Sequence, residues 1–393
     1  MNEDTEIGEF RVARGGPFYA LQRQLGLIRE NALRTGPRIL IFVGLAWGVP
    51  LLLSAAQGNA FGTPAEYPFL LDLGAWARFL VAVGLFILME RQVEDSLETK
   101  LAQFGRASII ARESIKSAAE AVTTALKRRD SRVAEAACLA IAALASFASL
   151  NHTIDTATPS WAVHVSASGT AQTLAAWWCL FVSGPIFWFL LLRELWRHLV
   201  WSMLLRRIAA LRLRLVSTHP DGMGGLAFIG QYPNAYATFI FAISCVLGAA
   251  VANEFMNARL SANAFGFITG GWLAIVWALF VYPLLAFRKP LAELKEATLL
   301  ACGAQATRYH RLIERRQLGR NVCAPDEAEA AIEADIPDPT KQFEATRKLS
   351  VLVVSRSALL PVSAAAVLPL AAAGFTVLPY KELFAIVKRL LLL

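Results

Sequence analysis

The string THPDGMGGLAFIG at residues 218–230 holds the densest set of groups suited to binding. His219 and Asp221 are polar and titratable. Gly222, Gly224 and Gly225 permit positive φ and close backbone approach. Successive amides in such a turn form an anion nest. Arg206, Arg207, Arg212 and Arg214 lie just upstream. Together these groups suit a phosphate, a lipid head group or a small anionic solute. The plainer reading is a tight turn back to the membrane, its arginines facing phospholipids. The string fits neither GxxxxGK[ST] nor GxGxxG, so nucleotide binding has no support.

Arg78 is a lone cation inside an apolar run, six residues beyond Asp72. A charge in hydrocarbon is costly and faces a partner, a cavity or the interface. Arg78 therefore either attracts an anion or pairs with Asp72 or Glu66. Glu90 with Arg91, and Arg129 and Asp130 with Glu135, fall at helix ends. They read as ion pairs that hold helices together or form a gate. His152 and His164 fall on one side of the membrane, and His198, His219 and His310 on the other, without HExxH or paired-ligand spacing. No CxxC or GxSxG occurs. A metal site, a cofactor, a disulfide scaffold and catalysis are not expected.

These residues must be positioned by an unusually apolar chain. Of 393 residues, 56% are hydrophobic and only 17% are charged. Soluble domains carry roughly 25% charged residues, so the sequence predicts an integral membrane protein. A crossing helix needs about 20 apolar residues. Six runs approach this length: 39–56, 70–89, 134–151, 174–192, 235–253 and 263–287. The first reads as a retained anchor, since 38 residues precede it. The third (AACLAIAALASFASL) is Ala-rich, which predicts a place inside the bundle where backbones approach closely.

The order is then a segment 1–38, a hairpin 39–89, a helical segment 90–133, a hairpin 134–192, a basic segment 193–234, a hairpin 235–287, helices with an acidic linker over 288–356, and an apolar end 357–393. Segments 1–38, 90–135, 193–234 and 288–349 hold 32 of the 38 Lys and Arg residues, and the opposite loops hold only Arg259. The positive-inside rule puts the N-terminus in the cytoplasm. The net charge of +8 is thus an orientation signal, and nucleic acid is not an expected partner. Trp76, Trp161, Trp177 and Trp178 on one side, and Trp196 and Trp201 on the other, read as interfacial anchors.

Leu97, Leu101, Phe104, Ala107, Ala111, Ile115, Ala118, Val122 and Leu126 recur at steps of three or four, one face of a cytoplasmic helix or hairpin. The linker 325–339 is acidic and lacks EF-hand spacing. Asp338-Pro339 predicts a helix start, with the helix running to about 359. Residues 357–379 carry no charge, but Pro361 and Pro369 oppose a simple helix. A re-entrant element is the first expectation there, a seventh span the second.

RLRLVSTHPDGMGGLAFIG (212–230), RFLVAVGLFILMER (78–91), RRDSRVAE (128–135) and VLPYKELFAIVKRLLLL (377–393) together resemble a group of bacterial polytopic inner-membrane proteins with a THPDxxGGL-type cytoplasmic loop. The resemblance spans most of the chain. It implies a bacterial inner-membrane location and assigns no activity and no site residues. The expected fold is all-α: six transmembrane helices, a re-entrant or seventh apolar element, and a helical cytoplasmic portion. The expected function is a channel or transporter for an ion or small anionic solute. A membrane scaffold or signalling subunit is the alternative. The lipid bilayer and a second copy of the chain are the expected partners.

Overall fold

The computed structural model describes residues 10–29, 33–62, 67–155, 160–166, 169–257, 260–324 and 337–375, with Phe384 and Lys388. Among the described residues, seven helices are long and apolar enough to cross a membrane. The chain is therefore an all-α, multi-pass integral membrane protein. A short helix α1 (Pro17–Gln24) precedes the first span, α2 (Thr35–Ala56). Then come α3 (Leu73–Arg106), α4 (Ile115–Arg129) and α5 (Arg132–Asp155). A small hairpin, β1 (Val163–Ser166) with β2 (Gly169–Gln172), leads to α6 (Leu174–Ala209). The chain closes with α7 (Ile229–Met256), α8 (Ala262–Leu318), α9 (Thr340–Lys348) and α10 (Arg356–Gly374).

Residues 357–374 form one helix, not a re-entrant break. Gly248 allows this helix to lie against α7, and Gly230 admits the extended residues that lead into it. A Cβ on Gly230 would meet the Val353 carbonyl at 2.8 Å, and one on Gly248 would meet the Pro369 carbonyl at 2.8 Å. Near its far end Leu370 packs with Val251, Phe255 and Phe265. The helix thus runs beside α7 from one end of the bundle to the other. Lys381 and Arg389, beyond this helix, lie outside the described residues.

Three spans carry a wide π-helical turn: Gly44–Gly48 in α2, Trp76–Ala82 in α3 and Cys179–Ser183 in α6. Pro50 and Pro185 explain two of them. Proline lacks an N–H and clashes with the carbonyl four residues back, Ala46 and Phe181 here, and a widened turn absorbs both effects.

The Ala-rich third span is peripheral, contrary to expectation. Leu139, Leu144 and Phe147 on α5 are more than half exposed. Its buried face packs on α6: Ala142 is fully buried, and the Ser146 hydroxyl occupies the space beside Gly184 and donates to the Leu180 carbonyl at 2.8 Å. The face read from Leu97 to Leu126 is also divided between two helices. Leu97, Leu101 and Phe104 are buried on α3, and Ala118 and Val122 on α4. Between them residues 109–111 pair with the segment after α6: the Arg214 amide donates to Ile109 at 2.6 Å and the Ala111 amide to Arg212 at 3.0 Å.

Asp338 caps α9 as expected, accepting the Thr340 amide at 2.9 Å. The helix stops at Lys348, short of 359, because the chain then extends across the Gly-rich loop, with the Ser350 amide donating to Gly222 at 2.8 Å. Residues 325–336 of the acidic linker lie outside the described residues.

Candidate functional site

The strongest chemical concentration sits at the basic end of the bundle, where α2, α3, α5 and α6 meet an N-terminal arm. Arg38, Glu90, Glu94, Arg193, Glu194 and Arg197 are each at most 3% exposed. Glu90 is the centre. Its carboxylate lies 2.7 Å from Arg38 and 3.0 Å from both Arg193 and Arg197. Arg193 also reaches Glu135 at 3.3 Å, and Arg197 pairs with Glu194. The surrounding pairs are Arg14 with Glu94 at 3.1 Å and Arg129 with Asp130 at 2.7 Å. The guanidiniums of Arg14, Arg38, Arg129, Arg193 and Arg197 are thus matched by the carboxylates of Glu90, Glu94, Asp130, Glu135 and Glu194. A charge-balanced cluster is the form in which such groups tolerate burial.

The arm is part of this cluster. Arg197 donates to the Ala13 carbonyl at 3.0 Å, and Arg129 donates to the Arg11 carbonyl. Gly15 and Gly16 follow because a side chain at either would strike Arg129, Asp130 or Glu135. Gly16 also takes φ 86°, open to glycine at little cost. Pro17 then starts α1, and Glu135 accepts the Phe18 amide at 2.7 Å. A carboxylate there satisfies an orphan N–H at the positive end of the helix dipole. Phe18 lies under the Arg193 guanidinium, 5.0 Å from Cζ to ring centroid. Arg38 is further held by Gln22 of α1 at 2.6 Å.

Among the expected gating groups, Glu90, Arg129, Asp130 and Glu135 come together here. Arg91 does not. It points to the surface and lies 3.7 Å from Asp95, one turn along its own helix. Asp72 sits at the other end of α3, where it accepts the Gly74 and Ala75 amides and the Trp161 indole at 2.9 Å. Arg78 lies half-buried in the π-helical turn of α3 and makes no ion pair or hydrogen bond among the described residues. Its guanidinium folds back over Gly74, where a Cβ would meet Nη2 at 3.0 Å. Glu66, its other expected partner, lies outside the described residues.

Twelve residues of helix separate Arg78 from Glu90, about 18 Å along the axis. That interval is packed shut. Ala82, Val83 and Phe86 are at most 1% exposed. Phe86 stacks 6.0 Å from Phe187 and sits 5.4 Å from Phe239.

The Gly-rich loop closes on its own carboxylate. Asp221 accepts the amides of Met223 at 2.8 Å, Gly225 at 3.1 Å and Ala227 at 3.0 Å. His219 Nδ1 lies 2.8 Å from the same group. Partial burial raises the Asp221 carboxyl, but the three amides and His219 outweigh it and hold it below the usual aspartate range. Gly222, Gly224 and Gly225 all take positive φ, as the spacing predicts. The upstream arginines are dispersed. Arg206 lies over the Tyr282 ring at 4.2 Å, Arg212 pairs with Glu113 at 2.6 Å, and Arg207 and Arg214 are exposed.

Arg193, Glu194, Arg197 and the N-terminal arm lie beyond what hydropathy marks, since the apolar run of the fourth span ends at residue 192. The signal was present. Glu90 and Glu94, and Arg193 and Arg197, are both i,i+4 pairs, so each shares one helical face. Trp201 was read as an interfacial anchor; it is fully buried against Phe10 at 5.6 Å, because α6 continues to Ala209 behind the arm. Among the described residues no group of three or more His, Cys, Asp and Glu side chains is arranged to hold a metal ion. Compared with family models, curated proteins and solved structures, the chain matches none, so its function must be argued from this geometry.

Proposed function

We propose that this membrane protein is a channel or transporter for an ion or small anionic solute, in a bacterial inner membrane with the arm on the cytoplasmic side. In this state its inner end is shut. The carrying observation is the buried cluster around Glu90, knotted to the arm. Buried ion pairs stabilise no more than apolar packing of the same volume would. Three arginines around one carboxylate do, however, offer alternative pairings of equal charge, as a two-state gate requires. The Phe86, Phe187 and Phe239 layer adds a hydrophobic constriction beyond it. Arg78, on the far side of that layer and unpaired among the described residues, supplies an attraction for anions.

Proteoliposome flux over a panel of anions and cations tests this reading. A chain lacking residues 1–24 and carrying Phe86→Ala is expected to pass at least one ion faster than the unaltered protein, whereas either change alone leaves the bundle closed. Arg78→Ala is expected to slow that flux. Absence of flux in every variant sinks the reading.

A second reading is a membrane scaffold or signalling subunit. It is favoured by the last 31 residues of α8, Arg288–Leu318, of which only Leu291 and Leu312 are buried. A stable hetero-complex, with no flux, would support it.

A further inference from the structure

Pro283 interrupts α8 near the basic end of the bundle and leaves the Leu279 carbonyl without its usual amide donor. His198 of α6 lies across from it, with Nε2 3.1 Å from that carbonyl. Nε2 must therefore carry the proton, and Nδ1 is left as a bare acceptor. Among the described residues Nδ1 is buried with no partner, as is the Ser202 hydroxyl one turn further along. Both residues line a cavity of about 360 Å³ between α6 and α8, walled by Leu195, Leu199, Leu279 and Tyr282. That volume lies in the range of about 300–1,000 Å³ typical of small-molecule sites. Arg206, one turn beyond Ser202, stands at the rim with its guanidinium 4.2 Å above the Tyr282 ring.

His198, Ser202 and Arg206 thus follow one another at i, i+4 and i+8 on one face of α6, which turns a buried imidazole, a buried hydroxyl and an exposed cation toward α8. Leu199 and Tyr282 on the same walls are 45% and 54% exposed, so the cavity opens sideways, toward the surroundings of the bundle.

We propose that this cavity binds one anionic phospholipid from the leaflet at the basic end of the bundle. An acyl chain fills the apolar groove along Leu195, Leu199 and Leu279. The ester region lies beside Ser202, and the phosphate meets Arg206. Buried polar groups facing hydrocarbon are costly when unsatisfied, and a lipid brings both the apolar volume and the polar belt that this wall lacks. The site is separate from the Glu90 cluster and independent of whether the protein conducts.

The test is the electron spin resonance of chain-labelled phosphatidylglycerol and phosphatidylcholine with the full-length protein in vesicles. The unaltered protein is expected to immobilise phosphatidylglycerol about fivefold more strongly, as one basic group at the membrane surface implies. Arg206→Gln should remove that preference while immobilised lipid of both kinds remains. Ala278→Phe, which fills the cavity, should lower the immobilised component by one lipid per protein for both lipids. If that chain fails to fold, Leu199→Trp on the opposite wall serves as the plug. A preference unchanged in Arg206→Gln, or immobilisation unchanged in a folded plug variant, overturns the proposal.

Discussion

Glu90 shows what one residue decides in this protein. Its carboxylate is shared by Arg38, Arg193 and Arg197, all buried. Glu90→Ala leaves these cations confined around a missing counter-charge. Breaking a buried pair in this way costs about 3–5 kcal/mol, which thermal unfolding of the purified protein would register. Arg91, its neighbour in the chain, is 77% exposed and pairs only with Asp95, so Arg91→Ala should cost no more than about 0.5 kcal/mol. Comparable losses in the two variants would contradict the cluster. Asp221 carries a pH signature. Its folded carboxyl titrates below the usual aspartate range, so its contribution is complete above about pH 4 and fades as pH falls through the lowered folded value. The stability gap between the unaltered protein and Asp221→Asn should therefore narrow only in that acid window; a gap that widens on acidification would refute the assignment. The sequence exposed Glu90, Glu135, Arg129 and Asp130 as charges at helix ends. It did not expose their partners, because pairing depends on how each helix is rotated about its axis.

At the scale of elements, the spans were legible and their neighbours were not. Six runs and one uncertain run became seven helices. Pro361 and Pro369 counted against the last, yet α10 holds as a helix, seated against Gly248 of α7. That seat is testable. A methyl at Gly248 would meet the Pro369 carbonyl at 2.8 Å, whereas one at Gly266 meets nothing within 4 Å. Gly248→Ala should destabilise by about 1–3 kcal/mol through overpacking, and Gly266→Ala should be neutral or mildly stabilising, since alanine favours helix. Thermal unfolding of the pair decides it, and a neutral Gly248→Ala would mean that α10 does not dock there. The third span reverses the expectation for a different reason. Alanine content reports that close approach is possible, but a single face satisfied by Gly184 and Ser146 is enough to account for it.

For the whole molecule, the apportioning of mass is the main result. A helix of 57 residues such as α8 is about 85 Å long against a hydrocarbon core of about 30 Å, so much of it projects beyond the membrane. The arm, the Glu90 cluster, the Gly-rich loop and the projecting helix all collect at the basic end. The opposite end carries short loops, a small hairpin and Arg78. The aromatic layer at Phe86 lies between them. This separation is why the flux comparison includes both the arm deletion and Phe86→Ala: either barrier alone keeps the bundle closed, and increased flux on removing both is the outcome a gate requires.

The sequence by itself determined that the chain is a membrane protein, which segments are spans, and that its basic segments share one side. Those properties follow from transfer energy and charge summed over about twenty residues, which order along the chain is enough to express. Tertiary structure decided which charges meet, that the N-terminal arm is buried among them, that the Gly-rich loop binds its own aspartate, and that Pro283 opens a cavity beside His198. Each of those depends on the rotation and depth of one helix against another. Small differences in side-chain packing fix both, and such packing has no signature in hydropathy.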